Sequence, residues 1–325
     1  MKTLGRDILI AFVAGVLMPA MLVRIGTTLR ARQEEPPAPV ALTEPQEETE
    51  VRPVRQILFE DAAGVVTAMD LEEYLVGAVL GEMPASFEQE ALKAQAVAAR
   101  TYAWKACLTR GRHPDGSVCG NYACCQAYIS PEKYLEQGGL QRNIEKIRSA
   151  VYATAGQVLT YEGELIEATY FSCSGGRTED AVAVWGSEFP YLISVESPGE
   201  EDAAWFTDEA VFSRQELESA LGISLAQDPA DWFGETTYTA GGGVEIIRIA
   251  DRLFPGTKLR SLLGLRSTAF SVRTEGELAV FTTRGHGHRV GMSQYGADAM
   301  AGTGADYAQI LAHYYPGTEL MLLEE

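Results

Sequence analysis

Basic residues are scarce in this chain of 325 residues, with 26 lysines and arginines against 45 aspartates and glutamates and a formal net charge of −19 at pH 7. No basic cluster stands out against this acidity, which argues against nucleic acid or another polyanion as the main partner. A neutral sugar chain is compatible with the charge. With 46% hydrophobic residues, the chain can bury one large core or two moderate ones, which excludes a small disulfide-stapled scaffold and a disordered tail protein.

Long apolar runs are also scarce, and the candidate lies near the start of the chain. Ile8–Val23 is uncharged and mostly apolar, slightly shorter than the ~20 residues that cross a bilayer comfortably, and Lys2, Arg6 and Arg24 flank it. A cleavable export signal is the competing interpretation, but no convincing small-x-small cleavage site follows. We therefore expect residues 1–26 to form a retained transmembrane anchor, whose orientation the flanking basic residues do not settle.

Residues 27–56 contain the acidic, proline-rich stretch Gln33–Pro53, which has no periodic apolar face. We expect this segment to be a disordered linker, either an extended tether for the folded body or a tail without a spacing role. The folded body is expected over residues 57–325.

Helices and strands are mixed in this body without a βαβ rhythm or an internal repeat. We therefore predict an α+β fold of mixed helices and antiparallel strands, arranged either as one mass or as two lobes around a groove. The local signals predict a strand pair turning at Gly64, a helix capped by Asp70 and ended near Gly81–Met83 by Pro84, and a helix from a Ser86 and Gln89 capping box to about Cys107. Further on, they predict a helix capped by Ser213 and Glu216, a hairpin turning at Glu275 and Gly276, and a helix over Tyr307–Tyr314.

Two segments carry candidate chemistry. Glu82, in LVGAVLGEMPASFEQ, lies in the predicted connection between two helices, close to the amino end of the second. A carboxylate there can be purely structural, because the helix dipole favours negative charge at that end. Apolar packing by the flanking Leu80 and Met83 would instead raise its pKa and keep it protonated as a general acid. The glycine-rich loop RGHGHRVGMSQYGA contains His288, which either serves a site or is a loop histidine satisfied by backbone.

Both segments resemble the stage II sporulation protein D family of bacterial cell-wall lytic enzymes, in which the glutamate of the GEMP-type segment is the catalytic acid. The loop is similar to the family pattern G-x-G-H-G-V-G-M-S-Q-Y-G-A and departs from it at Arg289, where the pattern has glycine, and at His286, where an aromatic is usual. Arg289 is expected to crowd the loop. The segment ATYFSCSGGRTED resembles a third family signature, an apparent wall of the substrate groove.

The resemblance implies that Glu82 is catalytic. It also implies substrate-binding roles for the residues that match the family motifs, namely Lys93, Gln95, Arg100, Tyr170, Ser174, Gly175, Gly176, His288, Ser293, Gln294 and Tyr295.

The implied activity is that of a membrane-anchored lytic transglycosylase with its catalytic domain outside the cytoplasm. It would cleave peptidoglycan between N-acetylmuramic acid and N-acetylglucosamine during sporulation engulfment, with a 1,6-anhydro sugar as the product. The resemblance further implies a partner amidase that strips stem peptides first and a membrane protein that holds the two together. The alternative is a non-catalytic peptidoglycan-binding enhancer of a cell-wall amidase, since such enhancers share this domain.

Five cysteines are an odd count for an exported chain, and three of them, Cys119, Cys124 and Cys125, cluster near His113. Thiolates and an imidazole suit zinc, so His113, Cys119 and Cys125 with a fourth ligand or water are a candidate structural zinc site. A disulfide from Cys119 to Cys124 or Cys125 is the rival, and a zinc hydrolase is a third option. Some members of the resembling family carry zinc beside the catalytic helix.

Overall fold

A computed structural model describes residues 55–323, so the predicted anchor at 1–26 and nearly all of the predicted linker at 27–56 lie outside the described residues. No helix within 55–323 combines the length and the apolar composition that crossing a bilayer requires. Helices and strands are mixed along these residues, which confirms the predicted α+β class.

The described chain enters its first core through a hairpin and a helix. β1 (Gln56–Glu60) pairs antiparallel with β2 (Val66–Asp70), and the connection contains Gly64 with a φ of +80°, in the left-handed region that favours glycine. The Asp70 side chain then accepts a backbone N–H of the first turn of α1 (Leu71–Glu82) at 3.0 Å. The predicted hairpin and the predicted cap are both confirmed.

The first helix ends before Pro84 as predicted, but the start of the second helix differs from the prediction. α1 extends through Glu82 and ends at Met83, whose φ of −131° and ψ of 136° are extended, as is usual for a residue before proline. α2 (Gln89–Thr109) begins beyond Ser86, because the chain first makes a turn after Pro84, and no side-chain hydrogen bond caps it. The predicted Ser86 capping box is therefore wrong. Glu82 closes the first helix rather than lying close to the amino end of the second.

α2 runs through the middle of the first core. Ala91, Ala94 and Ala98 are fully buried, and their small side chains let neighbouring elements approach closely. The next elements are β3 (Val118–Cys119), α3 (Pro131–Glu136), α4 (Gln141–Ala153), β4 (Gln157–Tyr161), β5 (Glu164–Leu165), β6 (Tyr170–Phe171) and α5 (Ala181–Trp185).

A second hydrophobic core is built from the middle of the chain, around the fully buried Trp232 and Phe281. Ser213 and Glu216 form the predicted capping box of its first helix, and the predicted hairpin turns at Gly276 and Glu277, one residue later than expected. Its elements are β7 (Thr207–Ser213), α6 (Arg214–Leu221), a 3₁₀ turn (Pro229–Asp231), β8 (Phe233–Tyr238), β9 (Val244–Ile249), β10 (Arg252–Pro255), α7 (Gly256–Leu263), β11 (Phe270–Glu275) and β12 (Leu278–Arg284).

The chain then returns to the first core. The returning elements are β13 (Met292–Ser293), α8 (Gln294–Gly302), α9 (Tyr307–Tyr314) and β14 (Glu319–Leu322). The last of these helices has the predicted bounds. Most strand pairs are antiparallel as predicted, but the short pairs β1 with β3 and β13 with β6 are parallel. The second pair places the glycine-rich loop beside the segment after β6.

Candidate active site

Glu82 lies in a cleft of about 740 Å³. The cleft is lined by the end of α1, the loop from Tyr122 to Ala127, the residues around β6, and His286 to His288 of the glycine-rich loop. Arg260 on α7 contributes a side chain from the second core. Of the residues that the structure describes along this cleft, Glu82 is the one carboxylate.

Three neighbours contact the Glu82 carboxyl group. The backbone N–H of Ala127 donates to Oε1 at 2.5 Å, and the polar side chains of Gln294 and Tyr170 lie close enough to lower the pKa of the carboxyl group. Burial raises the pKa of Glu82 above its ordinary value, and the hydrogen bond from the Ala127 amide offsets only part of that rise. The carboxyl group is therefore held more readily in its neutral form than an exposed glutamate.

A second layer of amides fixes these neighbours. Gln126 donates its Nε2 to the Ala99 carbonyl at 3.1 Å, which turns its Oε1 toward the Tyr170 hydroxyl, 2.9 Å away. Gln294 donates Nε2 to Oε1 of the buried Gln95 at 3.4 Å. Gln95 thus supports a neighbour of Glu82 and does not line the cleft.

His288 lies on the cleft wall between two aromatic rings. Its ring centroid is 5.5 Å from that of Phe171 and 5.3 Å from that of Trp185. Nδ1 accepts the backbone N–H of Val290 at 3.1 Å, so the backbone satisfies one ring nitrogen. Burial, reinforced by the nearby Arg260 cation, lowers the pKa of His288 to about 4. The imidazole is therefore neutral at neutral pH and offers polarity without charge.

The glycine-rich loop is held close to the segment after β6. Gly285 has a φ of +75°, and a side chain there would come within 2.5 Å of the Cys173 carbonyl oxygen. Arg289 also has a left-handed backbone, with a φ of 67°. Its buried side chain leaves the loop away from the cleft and donates to the carbonyls of Ser174 at 2.8 Å and Gly241 at 2.8 Å, beside Glu179. The expected crowding of the groove by Arg289 is therefore wrong.

Ser174, Gly175, Gly176 and Ser293 surround a buried carboxylate, Glu200, that the sequence did not single out. Oε2 of Glu200 accepts the backbone N–H groups of these first three residues at 3.0, 2.9 and 3.3 Å. Oε1 accepts the hydroxyl of Ser293. Through Glu200, these four predicted substrate-binding residues hold together the loops that form the cleft wall, and they do not line the cleft itself.

Three further predicted substrate-binding residues also lie away from the cleft. Arg100 is fully buried and pairs with Glu72 at 2.5 Å, Lys93 pairs with Glu90 at 2.6 Å, and Tyr295 packs its ring on Phe87. The predicted residues that do line it with Glu82 are Tyr170, His288 and Gln294. The remaining predicted residues do not line this cleft.

The predicted metal ligands His113, Cys119 and Cys125 come together, and Cys124 joins them. The four ligand atoms all lie within 4.8 Å of one another, with Cys124 Sγ 3.4 Å from His113 Nε2 and 3.9 Å from Cys125 Sγ. A tetrahedral zinc site, with Zn–S of about 2.3 Å, needs sulfurs at about this separation. The Glu60 carboxylate lies 3.0 Å from the other histidine nitrogen, the usual orienting partner of a metal-bound imidazole.

The five cysteines of the described chain are free thiols, so neither predicted disulfide from Cys119 is present. The donor set and its carboxylate partner fit a structural zinc ion. Cys124 completes a set of four donors and is the candidate for the fourth ligand that the sequence left open. Because Cys125, Gln126 and Ala127 are consecutive, the same loop that gathers the thiols also presents the amide that binds Glu82.

Comparisons with known proteins agree with these motifs. A family model described as stage II sporulation protein matches residues 60–161. Stage II sporulation protein D of Bacillus amyloliquefaciens is 39% identical over 273 residues, which cover 82% of this chain and 79% of that protein. The protein of the same name from Bacillus subtilis (strain 168) is 38% identical with the same coverage. An amidase enhancer of Bacillus subtilis (strain 168) is 31% identical over 76% of this chain and 40% of that protein.

Proposed function

This chain belongs to the SpoIID family of stage II sporulation proteins, and from that premise we propose that it is a lytic transglycosylase acting on peptidoglycan. It cleaves the glycan between N-acetylmuramic acid and N-acetylglucosamine and leaves a 1,6-anhydro end. The observation that carries the proposal is Glu82, a carboxyl group with a raised pKa and no carboxylate partner among the described residues of its cleft.

A lone carboxyl group suits this reaction better than it suits hydrolysis. Glycoside hydrolases generally need two carboxylates across the scissile bond, one as the acid and one as a nucleophile or as the base for water. In the anhydro-forming reaction the C6 hydroxyl of the muramic acid is the nucleophile, so a single residue can serve in both steps.

The proposed steps move one proton in each direction. Neutral Glu82 protonates the glycosidic oxygen as the bond to C1 breaks, and the N-acetylglucosamine side leaves as an alcohol. The resulting carboxylate accepts the proton of the C6 hydroxyl as that oxygen closes on C1. Tyr170, Gln294 and the Ala127 amide hold the carboxyl group in place throughout, and the neutral His288 supplies a polar wall.

The shape of the cleft suits a polymer. A neighbouring cavity of about 420 Å³ shares Tyr102, Arg112 and Trp185 with the main cleft, so the concave surface extends beyond that cleft. The carboxylate of this second cavity, Glu167, is paired with Lys105. Exposed Trp185 offers an apolar ring face of the kind that sugar rings cover.

The proposed setting follows the family. The chain is anchored by residues 1–26 with its catalytic domain outside the cytoplasm, and it acts during sporulation engulfment. A cell-wall amidase removes the stem peptides before it, and a membrane scaffold protein holds the two enzymes together. A zinc ion held by His113, Cys119, Cys124 and Cys125 would tie the loop that presents Ala127 and supplies no chemistry to bond cleavage.

The alternative function is a non-catalytic enhancer of a cell-wall amidase. Its support is the 31% identity to an amidase enhancer, of which the matched region covers 40%. An enhancer would still stimulate an amidase after Glu82→Gln, whereas the transglycosylase would lose its own product.

The test is product analysis with purified protein and glycan strands stripped of stem peptides. We expect 1,6-anhydro ends by mass spectrometry, and a loss of about 10²–10⁴-fold in turnover for Glu82→Gln, the usual contribution of a general acid. Glu88→Gln, an exposed glutamate in the same connection, is the matched control. Undiminished turnover by Glu82→Gln, or no product from the wild-type protein, overturns the proposal.

A further inference from the structure

The cleft carries more positive charge than the rest of this acidic protein would suggest. Two arginines, Arg112 and Arg260, line it together with the single described carboxyl group of Glu82, although the whole chain has a formal charge of −19. Arg112 is exposed and donates to the Ala123 carbonyl at 3.2 Å. The charge of Arg260 has a less obvious purpose.

Arg260 is a partly buried cation without an anion. It lies in the last turn of α7 and donates Nε to the Arg266 carbonyl at 3.3 Å, and no carboxylate of residues 55–323 forms an ion pair with it. The neighbouring Arg266 differs, because it pairs with Asp208 at 3.1 Å and covers the Trp205 ring. Removing a guanidinium from water without a counter-ion is unfavourable, which is tolerated most readily where a ligand supplies the charge.

The groups around Arg260 do not supply that charge. His286 and His288 flank the same part of the cleft, and both have a pKa lowered below the ordinary value by burial and by the arginine. The two imidazoles therefore stay neutral and can only lend polarity. Glu82 forms no ion pair with Arg260, and its carboxyl group is contacted by the Ala127 amide, Gln294 and Tyr170.

We propose that Arg260 binds the lactyl carboxylate of a muramic acid residue that has lost its stem peptide. This inference rests on the proposed function. In a glycan strand the N-acetylglucosamine residues are neutral, and an intact stem peptide turns the lactyl group into a neutral amide. Amide hydrolysis exposes one carboxylate on each muramic acid, so the stripped strand is anionic and not the neutral sugar chain that the overall charge of the protein suggested. A planar guanidinium can bind such a carboxylate with two parallel hydrogen bonds. Arg260 therefore makes the cleft selective for strands that an amidase has already processed.

The experiment compares two substrates that differ in this charge alone. The first is stripped glycan, and the second is the same glycan after carbodiimide coupling of methylamine to its lactyl carboxylates, which leaves the C6 hydroxyl intact. We expect the wild-type protein to prefer the carboxylate form by roughly ten- to a hundred-fold in kcat/KM, the range of a charge-assisted hydrogen-bonded pair. In Arg260→Gln the preference should fall to near unity, and Arg260→Lys should retain part of it.

Arg252→Gln is the matched control, since Arg252 is an exposed arginine of the second core that does not line the cleft. The control should keep the wild-type preference. Circular dichroism and urea unfolding exclude misfolding of Arg260→Gln, and Arg260→Lys provides a second, milder variant. A preference that persists in folded Arg260→Gln, or a wild-type protein that does not distinguish the two glycans, overturns the inference.

Binding separates this inference from the proposed reaction. In a Glu82→Gln background, the affinities of the two glycans can be measured by calorimetry without turnover. A carboxylate preference that requires Arg260 supports the inference even if the wild-type protein yields no anhydro ends, a result that would refute the reaction alone. Equal binding of stripped glycan, methylamide glycan and stem-peptide-bearing glycan refutes the inference while leaving the reaction intact. Preferential binding of the stem-peptide-bearing form would assign the arginine to a peptide carboxylate and also refute it.

Discussion

Replacing Glu200 with glutamine should destabilise the protein strongly, although Glu200 takes no part in the proposed chemistry. Its Oε2 accepts the backbone N–H groups of Ser174, Gly175 and Gly176 at 3.0, 2.9 and 3.3 Å, and the residue is 1% exposed. Its Oε1 accepts the hydroxyls of Ser197, at 2.9 Å, and of Ser293. The carboxylate thereby joins the turn after β6 to the start of α8.

The cost of this change can be worked out from these contacts. A glutamine side chain can keep its oxygen on the three backbone N–H groups and on the Ser174 hydroxyl, which donates to Oε2 at 2.6 Å. Its NH₂ can turn toward the hydroxyls of Ser197 and Ser293, which can rotate to accept. Each of the three amide hydrogen bonds then drops from a charge-assisted to a neutral one, a loss of about 1 kcal/mol each. Relief from burying a charge offsets part of the sum, so we expect a loss of about 2–3 kcal/mol of unfolding free energy.

Urea unfolding followed by circular dichroism measures this loss. Glu196→Gln is the control, because that side chain is 76% exposed in its pair with Arg177 and should change stability by less than about 0.5 kcal/mol. A Glu200→Gln protein within about 0.5 kcal/mol of the wild type would refute the reasoning. It would mean that Glu200 is not the acceptor of these backbone groups.

Three further predictions concern the site. Because burial raises the pKa of Glu82, the native state holds this proton more tightly than the unfolded chain does. The stability contributed by the neutral form is therefore lost as pH rises. In urea, Glu82→Gln should be more stable than the wild type at pH 7 and indistinguishable from it at pH 4. Because the pKa of His288 is lowered to about 4 from about 6.5, the protein should lose up to about 3 kcal/mol of unfolding free energy through this residue as pH falls across that window. His288→Gln should make the unfolding free energy less dependent on pH in this range. A His288 that titrates near 6.5 by NMR would contradict this. Elemental analysis should find one zinc ion per chain in the wild type, a marked loss of zinc in Cys124→Ser, and no loss in Cys107→Ser. An equal zinc content in the wild type and both variants, or no zinc in any of them, would contradict the site.

Local patterns predicted the elements well, because their causes are local. The Asp70 cap, the Ser213 and Glu216 capping box and the helix over Tyr307–Tyr314 each depend on residues within one helical turn. The predicted Ser86 capping box does not form because the turn after Pro84 includes Ser86. The spacing of Ser86 and Gln89 alone does not show which of the two local structures is favoured.

The sequence predicted some of the residues that line the cleft, but it did not predict which contacts the other candidate residues make. Glu82, Tyr170, His288 and Gln294 lie together on the cleft, but Ser174 and its neighbours serve Glu200. Glu200 carries no local signal, since all its partners but Ser197 come from distant parts of the chain and it is one of 45 acidic residues. The role of Arg289 was equally hidden, because its acceptors include the Gly241 carbonyl of the second core.

The measurement that tests the central claim most directly is isotope incorporation during glycan cleavage in H₂¹⁸O. If the C6 hydroxyl attacks C1 while Glu82 exchanges a single proton, the newly formed muramic acid ends carry the mass of an anhydro sugar and no ¹⁸O. If water is the nucleophile, each new end carries one ¹⁸O at C1 and the mass of a reducing sugar. The account predicts the first result, and the second would contradict it.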